Sequence, residues 1–180
     1  QGKEQFFLTF YMLILEVGER LQDAYRIVWR IPSTAAEQKQ CSGWIDWNKK
    51  EIHFTDTKNR KAADVGLTDE VLELLKNLEK YKIDTDSKAA WAASSKYVFP
   101  RFTDPTKPIN DSSYRKKLCK FNYKFGLAER TYLRGKGKRK VYKYKNLYSF
   151  KHNRKTFVTH YGREHGEEAA SHRVRHSSIK

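Results

Sequence analysis

The feature that most constrains the fold is an apolar segment near the beginning of the chain. Residues 4–17 (EQFFLTFYMLILEV) are apolar on nearly every side of a helix of that length. This pattern predicts a helix that is enclosed by other elements and not a helix that lies on a surface. Its apolar run, from Phe6 to Leu15, is too short to cross a bilayer, so we expect no membrane partner. A chain of 180 residues can build one domain around this helix.

The rest of the first half predicts two helices and a small sheet. Helical spacing from Glu19 to Trp29 predicts a second helix, and residues 33–43 resemble a loop. Three short extended runs then predict a three-stranded antiparallel sheet, at about 43–47, 51–55 and 62–67. Thr68 can cap the next helix, whose buried stripe would be Val71, Leu74, Leu75 and Leu78. The fold class that we predict is α+β and mainly α-helical.

The second half predicts basic elements. A basic helix can begin at Asp111 or Ser112 and end near Gly126. Residues 131–148 alternate aromatic or apolar with basic side chains, which predicts two strands joined by a basic loop. The DNA-contacting residues that we predict are in that loop and in the helix after it: Lys136, Lys138, Arg139, Lys140 and Lys155. Two more helices follow, at 150–165 and from Glu167 to about Arg175, with Gly166 between them.

Charge is distributed very unevenly along the chain. The formal net charge is +16, yet residues 1–100 hold 15 Lys/Arg and 15 Asp/Glu, whereas residues 101–180 hold 22 and 6. Because aromatic residues are interleaved with the positive charge, the pattern favours a folded surface that binds a nucleic acid. A solvated basic surface on an unrelated domain is the alternative, and composition does not distinguish DNA from RNA. Cys41 and Cys119 lack the spacing of a zinc site or a disulfide framework, which favours a reducing, cytoplasmic setting.

Four short motifs stand out by their order and spacing. Gly18-x-Arg20 is followed by Asp23, and Lys58 lies in a basic turn ahead of Val65-Gly66-Leu67. Later come the segment from Lys151 to His160 (KHNRKTFVTH) and, near the end, Arg175-His176-Ser177-Ser178-Ile179. This series resembles the catalytic domain of tyrosine recombinases, the phage integrase family. The variant is Lys-x-x-Arg, with Lys151 in place of the usual histidine, as in integrases of archaeal viruses and plasmids.

The resemblance implies a function and a set of catalytic residues. It implies that residues 1–180 are a catalytic domain that recombines DNA site-specifically, by integration or excision, through a 3′-phosphotyrosine intermediate. Its catalytic residues would be Arg20, Lys58, Lys151, Arg154 and His176. The family places the nucleophilic tyrosine roughly nine residues after His176, beyond Lys180, and a separate DNA-clamping domain before the catalytic one. It also implies a homotetramer on double-stranded attachment sites, a monomer free in solution, a prokaryotic chromosome-associated location, and no metal or cofactor.

The chemistry of these residue types agrees with that interpretation. Two arginines can donate charge-assisted hydrogen bonds to the non-bridging oxygens of a phosphodiester under attack, and we expect Arg20 and Arg154 to do so. A lysine on a hairpin, here Lys58, can protonate the leaving 5′-oxygen. Each motif alone has a simpler explanation, such as an Arg20–Asp23 surface ion pair or a basic helix face. A non-catalytic DNA- or RNA-binding module and a type IB topoisomerase-like strand cutter are the alternative functions.

Overall fold

A computed structural model describes residues 2–18, 20–55, 62–83, 95–101, 103–135, 140–147 and 150–173. Within these ranges there are seven helices: α1 (Gly2–Val17), α2 (Leu21–Tyr25), α3 (Ala35–Gln40), α4 (Asp69–Ile83), α5 (Asp111–Lys124), α6 (Phe150–His165) and α7 (Glu167–Arg173). The strands are β1 (Ile27–Val28), β2 (Gly43–Asp46), β3 (Glu51–Phe54), β4 (Ala63–Gly66), β5 (Pro100–Arg101), β6 (Asp104–Pro108), β7 (Ala128–Arg134) and β8 (Val141–Asn146). The predicted α+β class is confirmed.

The main sheet has four strands in the order β1-β2-β3-β4, so the prediction of a three-stranded sheet is wrong. The three predicted strands are present and antiparallel, with Ile45 opposite Ile52 and Ile52 opposite Val65. The added strand, β1, runs parallel to β2 and places Ile27 opposite Gly43. Ile27 and Val28 are β-branched and buried, which favours a paired strand over a helix end.

Two other local predictions are corrected. The predicted helix from Glu19 to Trp29 is the short helix α2 followed by β1, because pairing with β2 takes over at Ile27. The predicted loop at 33–43 contains α3. Its N-cap is Thr34, whose hydroxyl accepts a hydrogen bond from the Glu37 amide at 3.2 Å, while the Glu37 carboxylate accepts from the Ser33 amide at 2.9 Å. That reciprocal pattern closely resembles a capping box, which begins a helix without burying it.

One apolar cluster joins α1, α4 and the inner face of the main sheet. Its fully buried members on α1 include Phe10, Leu13, Ile14 and Val17, and it also contains Phe54 and Phe99. Thr68 accepts a hydrogen bond from the Val71 amide at 3.4 Å, as the predicted cap of α4 requires, and its hydroxyl donates to Glu16 at 2.7 Å. The cap therefore also fastens α4 to the last turn of α1. No helix in the described ranges has both the length and the apolar character needed to cross a bilayer.

The second half is less enclosed. The predicted basic helix is α5, and Gly126 follows it with a positive φ of 70°. The predicted strand pair is confirmed as β7 and β8, and the predicted helices as α6 and α7, with Gly166 at a φ of 89° between them. Tyr11 on α1 donates a hydrogen bond to the fully buried Asn122 on α5 at 2.7 Å. This bond ties the basic half of the chain to the central helix.

Candidate functional site

The segment after α1 is seated on a ring of α6. Gly18 ends α1 with its amide donating to the Ile14 carbonyl at 3.1 Å, and its φ is 63°. A Cβ at this position would lie 2.8 Å from Cε1 and 3.0 Å from Cγ of Phe157, closer than real side chains approach. Glycine is therefore required twice, once by the left-handed backbone and once by the aromatic ring. The contact joins the first predicted motif to the helix that carries the third.

Arg20 follows Gly18 by two residues and begins α2. Its backbone is extended, and its carbonyl accepts from the amides of Asp23 and Ala24 at 3.0 and 3.1 Å. Arg20 is exposed, whereas Asp23 is buried and its carbonyl accepts a hydrogen bond from the Ser42 hydroxyl. The short helix is thus fixed to the main sheet at Asp23. The arginine lies at its solvent-facing start, within two residues of the contact with α6.

Along α6, three rings form a continuous row. Phe157 stacks on Tyr161 with centroids 5.4 Å apart, and Tyr161 contacts His165 at 4.3 Å. Four-residue spacing places these side chains one above another on one face of the helix. Arg154 lies one turn before Phe157 and Lys151 one turn before Arg154, so the three positions follow one i, i+3 ridge. The α6 backbone is described at Lys151 and Arg154, and their side chains are outside the described set.

The other end of the ring row lines a cleft. This cleft has a volume of about 650 Å³ and lies between β4 and the α6–α7 corner, with Ala62 and Asp64 on one wall and Tyr161, His165 and Glu168 on the other. Asp64 also contacts the His53 ring, which stacks on Trp44 with centroids 4.3 Å apart. The β3–β4 hairpin is therefore placed beside the same helix face that receives Gly18. Lys58, in the turn of this hairpin, lies outside the described residues.

Some of the predicted DNA-contacting residues lie within the part of the chain that the structure describes, and others lie outside it. Lys140 is exposed just before β8, and Lys155 is exposed on α6. Lys155 is two residues from Phe157, so it lies on a different side of the helix from the ring row. Lys136, Lys138 and Arg139 in the β7–β8 turn, and His176 near the end of the chain, lie outside the described residues. Within the described ranges, no three His, Cys, Asp or Glu side chains converge as metal ligands would.

Sequence reasoning missed the contact that organises this site. Gly18 was considered only as part of the Gly18-x-Arg20 motif and Phe157 only as part of the segment from Lys151 to His160, so no contact between the two was predicted. The available signal was the glycine two residues before Arg20, since a glycine at a helix end permits both a positive φ and a close neighbour. The partner of that glycine, 139 positions later, follows from the tertiary fold and not from any local pattern.

Comparison with known proteins assigns no family to this arrangement. No protein-family model matches the chain, and no curated protein or solved structure matches it either.

Proposed function

We propose that this chain is the catalytic domain of a tyrosine recombinase, which cuts and rejoins DNA at specific sites through a 3′-phosphotyrosine intermediate. The observation that carries the proposal is the seating of Gly18 on Phe157. It links the segment bearing Arg20 to the helix bearing Lys151 and Arg154, although more than 100 residues separate them in sequence. A merely basic surface would need no such link between the two arginine motifs.

The β3–β4 hairpin adds a second line of support. Its strands end at Phe54 and Ala63, and the residues beside that end line the cleft with Tyr161 and His165 of α6. Two of the four motifs therefore belong to elements that lie against α6, and α6 itself carries a third. In a strand-cutting enzyme the phosphate clamp and the proton donor must reach the same phosphodiester, so their supporting elements have to converge.

The proposed reaction balances without a nucleotide cofactor. A tyrosine hydroxyl attacks the scissile phosphorus and forms a new P–O bond to the tyrosine. The P–O3′ bond of the attached strand is kept, and the P–O5′ bond to the other strand breaks. The tyrosine proton passes to a base, for which we propose Lys151, and the leaving 5′-oxygen takes a proton from Lys58. Arg20, Arg154 and His176 donate hydrogen bonds to the non-bridging oxygens as charge builds on them. Religation is the reverse sequence with a 5′-hydroxyl from the partner strand.

Suicide-substrate trapping tests this proposal. The natural full-length protein is incubated with nicked duplexes that cover the DNA on either side of its own gene, and covalent complexes are counted on a denaturing gel. Arg154→Ala and Arg20→Ala should each slow adduct formation by about two to three orders of magnitude while largely sparing DNA binding, as expected for loss of one oxyanion donor.

Two matched variants control for charge and fold. Arg163→Ala removes an exposed arginine from the same helix, and Arg30→Ala removes an exposed arginine near the end of β1. Both should form adduct at the rate of the unaltered protein. Normal cleavage in Arg154→Ala would rule out the proposed role of Arg154 in binding the scissile phosphate. Tight duplex binding without any adduct would favour a non-catalytic binding module.

A further inference from the structure

The β7–β8 hairpin is unusual because little of it is buried. It is a two-stranded sheet, and Ala128 is its one buried residue among those whose side chains are described. An isolated two-stranded hairpin is only marginally stable in water, so something outside its own backbone ladder must hold it. Its base is closed by the Leu147 amide, which donates to the Leu127 carbonyl at 3.0 Å.

One face of the hairpin is fastened to α5 by an arginine between two rings. The guanidinium carbon of Arg130 lies 4.5 Å from the centroid of the Tyr123 ring, on α5, and 4.4 Å from that of Tyr142, on β8. Tyr123 also makes an edge contact with Tyr144 at 5.8 Å. Guanidinium–ring contacts of this kind are attractive and fix the plane of the arginine. The face of the hairpin that carries Arg130, Tyr142 and Tyr144 therefore packs against α5, and we call it the inner face.

The opposite face presents a different set of side chains. Thr131 pairs with Lys143 and Glu129 pairs with Lys145, and these four residues alternate with Arg130, Tyr142 and Tyr144 along the strands. Because successive side chains of a strand point to opposite sides, this outer face points away from α5. All four residues are exposed, and the face carries two lysines and one glutamate. Nothing in the described structure covers it.

We infer that this outer face of the β7–β8 hairpin docks on the phosphate backbone of duplex DNA, with Lys143 and Lys145 each contacting a phosphate. The inference rests on the proposed function for the identity of the nucleic acid. Two residues of a strand rise about 6.7 Å, close to the rise of two base-pair steps, so both lysines can follow one DNA strand. A two-stranded ribbon also fits the width of the major groove.

The ring contacts argue against single-stranded RNA as the ligand. Base stacking needs open aromatic faces, and the outer face has no aromatic residue. Tyr123 and Tyr142 are covered by Arg130, and Tyr132, which is 53% exposed, lies opposite Tyr142 on the other face. The position of the hairpin along the chain favours a duplex at the proposed catalytic site. Helix α6 begins three residues after Leu147, so its start lies within about 11 Å of the hairpin base.

Salt-dependent binding tests the inference. The double variant Lys143→Gln/Lys145→Gln is compared with the unaltered chain by fluorescence anisotropy on a labelled duplex, between about 50 and 200 mM salt. Loss of two phosphate contacts should lower the slope of log affinity against log salt by about 1.8 and weaken binding about 10- to 50-fold near 0.1 M salt. The matched control is Lys76→Gln/Lys80→Gln, which removes two exposed lysines from α4.

The outcomes separate this inference from the proposed function. Equal slopes and affinities for the two double variants would overturn the hairpin contact, whether or not the protein cleaves DNA. A reduced slope for the hairpin variant alone would support it, even if no covalent adduct were ever trapped. Tighter binding of single-stranded RNA than of duplex, lost in the hairpin variant, would overturn the assignment to DNA.

Discussion

The region from α1 to α4 and the region from α5 to β8 use their aromatic residues in opposite ways. In the first, Phe10 is fully buried and packs on Tyr25, with ring centroids 5.7 Å apart, and on Phe99 of the following segment, at 4.7 Å. In the second, Tyr132 and Phe125 are more than half exposed, and rings pair with a cation or with each other. The charge follows the same division, since the first 100 residues are balanced and the rest carry the excess.

The difference indicates which region supplies stability and which is available for a ligand. Burial of apolar surface dominates folding free energy, so the α1–α4 region should carry most of it. The α5–β8 region leaves apolar and basic side chains in contact with water, which contributes little to folding but offers a surface to a polyanion. Helix α6 follows β8 in the chain and packs on the first region at Gly18, and that junction is where we propose the chemistry occurs.

The largest expected effect comes from matched truncations of phenylalanine. Phe10→Ala should lower the free energy of unfolding by about 3–5 kcal/mol, because it opens a cavity in the core. Phe125→Ala removes a ring that is 59% exposed and should cost about 1 kcal/mol or less. Urea titrations of the two variants measure this directly. Equal losses would break the proposed division between a stabilising region and a ligand-binding one.

A smaller loss is expected at the junction. Gly18→Ala should destabilise the fold by about 2–4 kcal/mol, since it adds a Cβ both at a positive φ and against Phe157. Gly126→Ala is the matched control, because Gly126 has a similar φ of 70° and open space where a Cβ would be. Gly126→Ala should lower the free energy of unfolding by about 1–2 kcal/mol, which is the cost of a side chain at a positive φ alone. If Gly18→Ala cost no more than Gly126→Ala, the Phe157 contact would contribute nothing.

The hydrogen bond between the two regions gives the next effect. Tyr11→Phe should cost about 1–2 kcal/mol, because it removes the donor to the buried Asn122 side chain. Tyr132→Phe removes an exposed hydroxyl that donates to the Gly135 carbonyl and should change stability by less than about 0.5 kcal/mol. Thermal unfolding of both variants is the measurement. A neutral Tyr11→Phe would mean that α1 and α5 are joined by packing alone.

The smallest expected effect is the pH dependence of the free energy of unfolding that comes from the Tyr11 phenol. Burial raises the pKa of the Tyr11 phenol. The neutral phenol therefore stabilises the fold fully below the unfolded pKa of about 10, and this contribution is lost as pH rises through the higher folded pKa. Above about pH 10, stability should fall less steeply in Tyr11→Phe, by at most about 1.4 kcal/mol per pH unit. Identical slopes of unfolding free energy against pH in Tyr11→Phe and the unaltered chain would contradict this prediction.

Local sequence patterns predicted the elements that local forces determine. The apolar run gave α1, the glycine at 166 gave the corner between α6 and α7, and the alternation at 131–148 gave the β7–β8 pair. The helix through Ile27 was wrong because pairing with Gly43 and Trp44, which no local pattern contains, overrides helical spacing. Helix α3 was missed although Thr34 and Glu37 have capping-box spacing.

Sequence patterns predicted which residues belong to the candidate site but not where in the fold those residues lie. Motif order selected Arg20, Lys151 and Arg154, whereas the packing of the segment that bears Arg20 on α6 depends on a glycine against a ring in a distant helix. The inner face of the hairpin was likewise not predicted, because alternation alone does not tell which side meets α5. The contacts of Tyr123 with Arg130 and with Tyr144 decide that.

The chemical identity of the linkage tests the central claim most directly. Trapped complexes from the full-length protein are digested with trypsin and nuclease, and the DNA-bearing peptide and the released strand end are identified by mass spectrometry. The account predicts a tyrosine joined to a 3′-phosphate and a released strand that begins with a 5′-hydroxyl. A 5′-phosphate end with no protein attached would indicate hydrolysis, and it would contradict strand exchange by this chain.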